Sequence, residues 1–345
     1  MIPIQNIYYM LSYAFQVLNE QGYKNIATEQ FNNTGELMAA ILEKGIAIQI
    51  KRGLGKEYIL QTEALSSLRG KIDIAESIKT QSMLRKQLIC TYDEFSVNSI
   101  MNRIIKSTVE LLLRSNISKQ RKKNLRKLMV YFSEVDFIDL YTVNWNVQYN
   151  RNNQTYRMLI SICYLVVKGL LQTQSNGHTK LMDFLDEQRM CRLYEKFILE
   201  YYRREFKNQI TANASQIPWQ LDNEENSMLP VMQSDIMLQS GEKVLIIDAK
   251  YYEHSTQVQF DKHTIHSGNL YQIFTYVKNK EYELREKDHT VSGMLLYAKT
   301  DEEIYPNNVY QMSGNQITVR TLDLNLPFDE IAGQLNTIAK THFDL

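Results

Sequence analysis

Residues 229–252, LPVMQSDIMLQSGEKVLIIDAKYY, leave the chain few ways to fold. Val244, Leu245, Ile246 and Ile247 form an unbroken apolar run, which predicts a strand covered on both faces. Just before it stands Gly241-Glu242, with glycine at the first central position of a two-residue loop, where a type II′ hairpin turn needs a positive φ. In a hairpin closed there, facing residues have numbers that sum to 483, so Asp235 falls opposite Asp248. Strand side chains alternate, so Lys250 shares the face of Asp248. Two carboxylates opposed across a ladder repel, and each is costly to bury, so this end of the hairpin calls for a cation. A solvated strand end needs neither this register, nor the apolar run, nor the lysine; their combination points to chemistry.

The donor set narrows that chemistry. Mg²⁺ prefers one or two carboxylates with water and phosphate oxygens around it, and phosphodiester hydrolysis needs such an ion beside a group that handles the attacking water. Asp235 and Asp248 supply the carboxylates, the backbone carbonyl of Ala249 a third oxygen, and Lys250 a group to hold or activate water and to counter charge growing on the phosphate. Mn²⁺ takes the same ligands. The pattern resembles the PD-(D/E)xK nuclease superfamily, with Ser234-Asp235 in place of Pro-Asp and Asp248-Ala249-Lys250 as the second half. That resemblance implies a restriction-endonuclease-like α/β fold of mixed α+β type, with a central mixed sheet flanked by helices.

The flanking sequence has the helices such a core requires. Residues 190–206 carry apolar positions at Met190, Leu193, Tyr194, Phe197, Ile198 and Tyr201, the spacing of an amphipathic helix. Glu195 lies on its flank, as ready to be a solvated neighbour of Lys196 as an additional metal ligand. Residues 269–280, NLYQIFTYVKNK, read as a second helix that buries Leu270, Ile273, Phe274 and Val277 and sets Gln272 and Tyr276 on one stripe. A Gln-x-x-x-Tyr helix after the Asp-x-Lys strand resembles the recombination-type exonuclease branch, where it frames the metal site. His254, His263 and His266 precede this helix in a polar loop without cysteine or a fixed ligand spacing, which argues against zinc and leaves His266 as a phosphate contact.

The front half reads as a separate α+β unit, with a boundary at residues 149–155 and hence domains 1–150 and 151–345. Residues 7–18 have helical periodicity, residues 46–60 read as two alternating strands around a Gly-rich turn, residues 68–78 as a strand leading into a helix, and residues 102–114 as a helix. Gly53-Leu54-Gly55-Lys56 lacks the spacing of a P-loop, and Glu57 stands where Ser or Thr would follow, so the chain has no nucleotide triphosphatase motif of its own. Formal net charge is zero, which excludes DNA capture by bulk electrostatics. Residues 101–130 nevertheless hold nine Lys or Arg against a single acid, Glu110, a stripe able to bind phosphate or an acidic partner or to stay solvated. Cys90, Cys163 and Cys191 are too few and too apolar in setting for a disulfide framework, and no leader or membrane-length apolar run is seen. A cytoplasmic protein without a membrane role is expected.

Five segments then carry a more specific resemblance: IPIQNIYYMLSYAF (2–15), LRGKIDIAESIKT (68–80), NRIIKSTVELL (102–112), LYEKFILEYYRREF (193–206), and SDIML with VLIIDAKYY. Together they resemble the McrC subunit family of the McrBC modification-dependent, type IV restriction systems, over nearly the whole chain. The resemblance implies a Mg²⁺-dependent endonuclease subunit that cuts double-stranded DNA carrying 5-methylcytosine. It implies a front half that docks on an AAA+ GTPase ring resembling McrB and stimulates it, so that GTP enters only through the partner. By motif it carries over Asp235, Asp248 and Lys250 as the catalytic set. A nuclease-silent adaptor of an AAA+ ring and a free-standing repair exonuclease remain alternatives on sequence alone.

Overall fold

A computed structural model describes residues 2–15, 18, 23, 26, 29, 31, 33–150, 153, 155–175, 187–223, 228–252, 257–259, 262–299 and 305–345. The chain divides into two compact units, one formed by Phe31–Phe184 and the other by Met1–Gln30 together with Leu185–Leu345. The first helix, α1 (Ile4–Ala14), therefore belongs with the C-terminal half. Its side chains show why. Asn6 Nδ2 donates to the carbonyls of Leu324 and Leu326 at 2.8 Å each. Tyr9 stacks on Phe328, and Tyr13 packs against Phe197, Tyr201 and Phe328.

The inserted unit holds α2 (Thr34–Arg52), β1 (Glu57–Leu65), β2 (Lys71–Asp73), α3 (Ile74–Lys79), β3 (Leu88–Ser96), α4 (Ile100–Arg114), α5 (Lys119–Met129) and α6 (Tyr156–Ser175). Its sheet is antiparallel, with β3 between β1 and β2. The strand expected to begin at residue 46 is helix instead. Asn33 caps α2 by accepting from the Glu36 amide at 2.8 Å, and Met38, Ile41, Leu42, Gly45, Ile46 and Gln49 are buried at helical intervals. The alternation in IAIQI is local, and the longer 3.6-residue period upstream prevails over it. The ribbon therefore runs between β1 and β3 rather than within residues 46–60. The strand-to-helix reading of residues 68–78 and the helix over 102–114 match β2–α3 and α4.

The division also differs from the expected 1–150 and 151–345. Tyr156 at the start of α6 is held inside the inserted unit, accepting from the Gly55 amide at 2.7 Å and donating to Asn102 Oδ1 at 2.8 Å. Asn102 Nδ2 in turn donates to the Gly55 and Val97 carbonyls. Polar turn formers near residue 150 thus mark a loop within a unit, and the apolar α6 packs on α2 and α4. The basic stripe is partly consumed by structure: Arg121 pairs with Glu36 and Glu43, and Lys106 donates to the Phe132 and Val135 carbonyls. Lys119, Lys123, Arg126 and Lys127 on α5 remain exposed.

The second unit continues with α7 (Glu187–Glu205), β4 (Thr211–Asn213), β5 (Gln216–Ile217), β6 (Met232–Gln233), β7 (Ile236–Ser240), β8 (Lys243–Lys250), β9 (Gln257–Gln259), β10 (Lys262–Thr264), α8 (Ser267–Glu283), β11 (Thr290–Ala298), β12 (Asn308–Met312), β13 (Asn315–Leu322) and α9 (Phe328–Phe343). Six strands make a mixed sheet in the order β12-β13-β11-β8-β7-β4, with β8, β11 and β13 parallel to one another and the remaining pairings antiparallel. The apolar run of β8 is buried on both faces because β8 sits inside this sheet and α8 crosses over it to reach β11. On the α8 face, Ile273 and Val277 join Val244, Ile246, Val291, Leu295, Ile317 and Val319 in one core. Helices α7 and α9 are joined by hydrogen bonds from Tyr201 and Tyr202 to α9. Among the described residues no helix is long and apolar enough to cross a membrane.

Gly293 on β11 is where α8 comes closest. A Cβ there would lie 2.8 to 2.9 Å from side-chain atoms of Ile273, Ile317 and Val277. Gly293→Ala must therefore push α8 off the sheet, and a loss of about 1–3 kcal/mol is expected for such overpacking. An unchanged midpoint of urea unfolding for this variant would refute that packing.

Candidate active site

The hairpin forms in the expected register. Ile236 pairs with Ile247 and Ser240 with Lys243, and the turn glycine Gly241 has φ +57° while Glu242 stays out of the left-handed region. Extending the ladder by one residue sets Asp235 beside Asp248. Asp235 stands just before β7, and its Oδ2 accepts the Ala249 amide at 3.0 Å. Asp248 and Lys250 share the face covered by α8, and Lys250 Nζ lies 2.9 Å from Asp248 Oδ2.

Asp248 is 1% exposed, and neither of its carboxylate oxygens receives an aligned hydrogen bond from the described residues. The neighbouring ammonium supplies charge without the geometry of a donor. Burial drives the Asp248 carboxyl up to about 7, Lys250 opposes the rise and Asp235 adds to it. Burial likewise raises Asp235, against Lys250 and the Ala249 amide. Lys250 goes the other way: burial lowers it, but the charges of Asp248 and Asp235 dominate and raise it, so it remains an ammonium.

Helix α8 faces this cluster with a stripe of amides. Gln272 Oε1 accepts from Lys250 Nζ at 3.3 Å, and Gln272 Nε2 donates to the Tyr276 hydroxyl at 3.0 Å, so the Gln-x-x-x-Tyr pair expected from the sequence does hold the lysine. Three further groups were not foreseen. Asn269 donates to the Tyr297 hydroxyl on β11 at 2.8 Å and accepts from the Tyr252 hydroxyl at 3.3 Å. Asn269 precedes Gln272 by one helical turn and could have been read from the same stripe. Tyr297, in the apolar run MLLYA, carries no local signal.

The remaining candidates are placed as follows. Glu195 on α7 feels the charge of Asp235 and is raised, chiefly by burial, while its Oε1 accepts from the Cys191 thiol at 3.2 Å. Among the described residues no three His, Cys, Asp or Glu side chains form a metal-holding group, so Glu195 does not stand as a third carboxylate ligand. His266 is the residue before α8, its ring 5.4 Å from that of Tyr252. His254 and the side chain of His263 lie outside the described residues. Two carboxylates, one with both oxygens buried and lacking donors, fit a hard divalent cation completed by backbone oxygen and water.

The mixed sheet and its buried Asp-Asp-Lys cluster define an α/β protein with a paired-carboxylate site at the carboxyl end of a central strand. Residues 5–298 match the family model described as the McrBC 5-methylcytosine restriction system component. The chain is 30% identical over 329 residues to the type IV methyl-directed restriction enzyme EcoKMcrBC of Escherichia coli strain K12, covering 94% of this chain and 93% of that protein. The chain belongs to this family of McrBC restriction-system components. Similar solved structures include a refined half-complex from a tetradecameric assembly of Thermococcus gammatolerans McrB AAA+ hexamers with bound McrC. The match has 18% identity and a TM-score of 0.48, over 97% of this chain and 76% of that one. The T. gammatolerans McrBC complex gives 21% identity and a TM-score of 0.41, over 59% of each chain.

The charge balance gives a stability test on the metal-free protein. A carboxyl raised by burial binds its proton in the folded state at pH values where the unfolded chain has released it. Stability is therefore lost as pH rises from the ordinary carboxylate value, about 4, through the folded value of about 7. In excess chelator, the urea midpoint should fall between about pH 5 and about pH 8, and Asp248→Asn should flatten that fall. At about pH 8 the variant should be the more stable by roughly 1–3 kcal/mol, since it removes a buried charge. Equal slopes for the two proteins would contradict the burial of Asp248.

Proposed function

We propose that this chain is a divalent-metal-dependent endonuclease subunit of PD-(D/E)xK type, cutting DNA that carries methylated cytosine as part of a cytoplasmic restriction complex. The observation that carries the reading is Asp248: a carboxylate buried at the end of an apolar strand, both oxygens without aligned donors, with Asp235 and Lys250 beside it. The methylated substrate follows from family membership and from the methyl-directed activity named for the E. coli relative. Asp235 and Asp248, with the Ala249 carbonyl, would hold Mg²⁺ or Mn²⁺. When bound, the ion supplies positive charge against the scissile phosphate and a more acidic water.

The chain's own groups divide the remaining work. Lys250 stays protonated, so its part is to orient water or phosphate oxygen and to neutralise charge as the phosphorus becomes five-coordinate, rather than to act as the base. Gln272 fixes the ammonium from the helix side, and Tyr276 fixes Gln272. Burial of the cluster strengthens each of these interactions. DNA capture is left to an AAA+ GTPase partner resembling McrB, in keeping with a chain of zero formal net charge. The inserted unit is assigned to docking on that partner and stimulating its GTP hydrolysis.

Asp248→Ala and Lys250→Ala should each lower cleavage of methylated plasmid by about 10²-fold or more, the scale of losing one electrostatic stabiliser. Stimulation of the partner's GTPase should persist in both. Cleavage at wild-type rate in either variant would remove that residue from the site.

A further inference from the structure

The cluster is framed on two sides, and only one of them has been given a purpose. The Gln272–Tyr276 arm addresses Lys250. The second arm begins at Tyr252, two residues past β8, passes through Asn269 in the first turn of α8 and ends at Tyr297 on β11. Its hydrogen bonds all run one way. The Tyr252 hydroxyl donates to Asn269 Oδ1, and Asn269 Nδ2 donates to the Tyr297 oxygen, so the Tyr297 proton is not used within the arm. Tyr297 pairs in register with Lys250, and Leu295 with Asp248, which places Tyr297 on the same face as both. The hydroxyl interacts electrostatically with Asp248 and Lys250, and the Tyr252 hydroxyl likewise with Lys250. The ring is fully buried, so it cannot be a substrate contact.

The arm also explains its own expense. Asn269 is 8% exposed and Tyr297 0%, and burying an amide and a phenol side by side is costly unless their hydrogen bonds are complete. Apolar residues at both positions would pack as well with the surrounding Leu295, Val319 and Ile273. The polarity that Asn269 imposes leaves one spare donor, and the neighbouring Asp248 has two oxygens that lack one.

We propose that Tyr297, oriented by Asn269 and Tyr252, is a positioning residue that directs a hydroxyl donor at the Asp248 carboxylate and thereby holds it in its metal-binding orientation. A donor of this kind acts as the outer-shell partners of metal ligands generally do, fixing one oxygen so that the other faces the ion. The assignment rests on the metal-site reading given above, and its test separates the two.

Mn²⁺ binding to the full-length chain, without DNA or partner, is measured by titration calorimetry for wild type, Asp248→Ala, Tyr297→Phe, Asn269→Leu and the Tyr297→Phe/Asn269→Leu double variant. Asp248→Ala binding Mn²⁺ like wild type would overturn the metal site itself. With that control passed, Tyr297→Phe should weaken Mn²⁺ about threefold to tenfold, the scale of one lost hydrogen bond. Asn269→Leu should do the same, and the double variant should be no weaker than either alone, because both act through one hydroxyl. Methylated-plasmid cleavage by Tyr297→Phe should need correspondingly more Mn²⁺ but reach a near-normal rate at saturation. Unchanged Mn²⁺ affinity in Tyr297→Phe, with its melting temperature within a degree or two of wild type or lowered, would assign the arm to packing alone and overturn the proposal. So would additive losses in the double variant.

Discussion

The placement of one negative charge governs this unit. Asp248 follows four apolar residues on a strand hydrogen-bonded on both sides, and the cost of taking a carboxylate out of water there is several kcal/mol before compensation. Lys250, two residues on, returns part of it through an ion pair at 2.9 Å. Asp235 makes the balance worse, since its carboxylate adds like charge to the same face. A sheet does not keep such a cluster for its own stability, because an apolar pair of the same size would pack without penalty. The arrangement makes sense as a site that is completed by a cation and anionic substrate.

Helix α8 is the element through which this cluster is organised. Its apolar residues Ile273 and Val277 seat it on β8, β11 and β13, and the absence of a side chain at Gly293 lets it come close. Its polar residues then fall at defined heights above the carboxyl ends of β8 and β11: Asn269 at Tyr297, Gln272 at Lys250, Tyr276 behind Gln272. One helix thus converts the crossover demanded by parallel strands into two arms holding the charged groups.

Much of this was legible because it is local. A two-residue turn, an apolar run and the period-2 rule are enough to set Asp235, Asp248 and Lys250 on one face, and a 3.6-residue stripe is enough to bring Gln272 and Tyr276 to it. What was hidden is what depends on distant segments. The five residues IAIQI alternate like a strand, yet capping at Asn33 and burial along Met38, Ile41, Leu42 and Gly45 carry a helix through them. The polar stretch near residue 150 looked like a boundary, but Tyr156 is tied back to Gly55 and Asn102. That α1 belongs to the C-terminal unit depends on Asn6 finding the carbonyls of Leu324 and Leu326, more than three hundred residues away, and no window of sequence contains that. Tyr297 is the same case within the site, since its partner Asn269 is visible only once α8 lies across β11.

The charge states also decide between roles that the residue types leave open. A lysine beside a metal site can be written as the base that activates water or as a fixed cation, and the two require opposite shifts: a base near neutrality needs its value depressed by burial or like charge. Here burial does push Lys250 down, but two carboxylates on the same face outweigh it. A bound divalent ion would offset some of that attraction, but the ammonium would still face a substrate phosphate that brings negative charge of its own. The same pair of carboxylates that needs a cation therefore keeps the lysine cationic, and proton removal from the attacking water must fall to the carboxylates, the substrate phosphate or solvent.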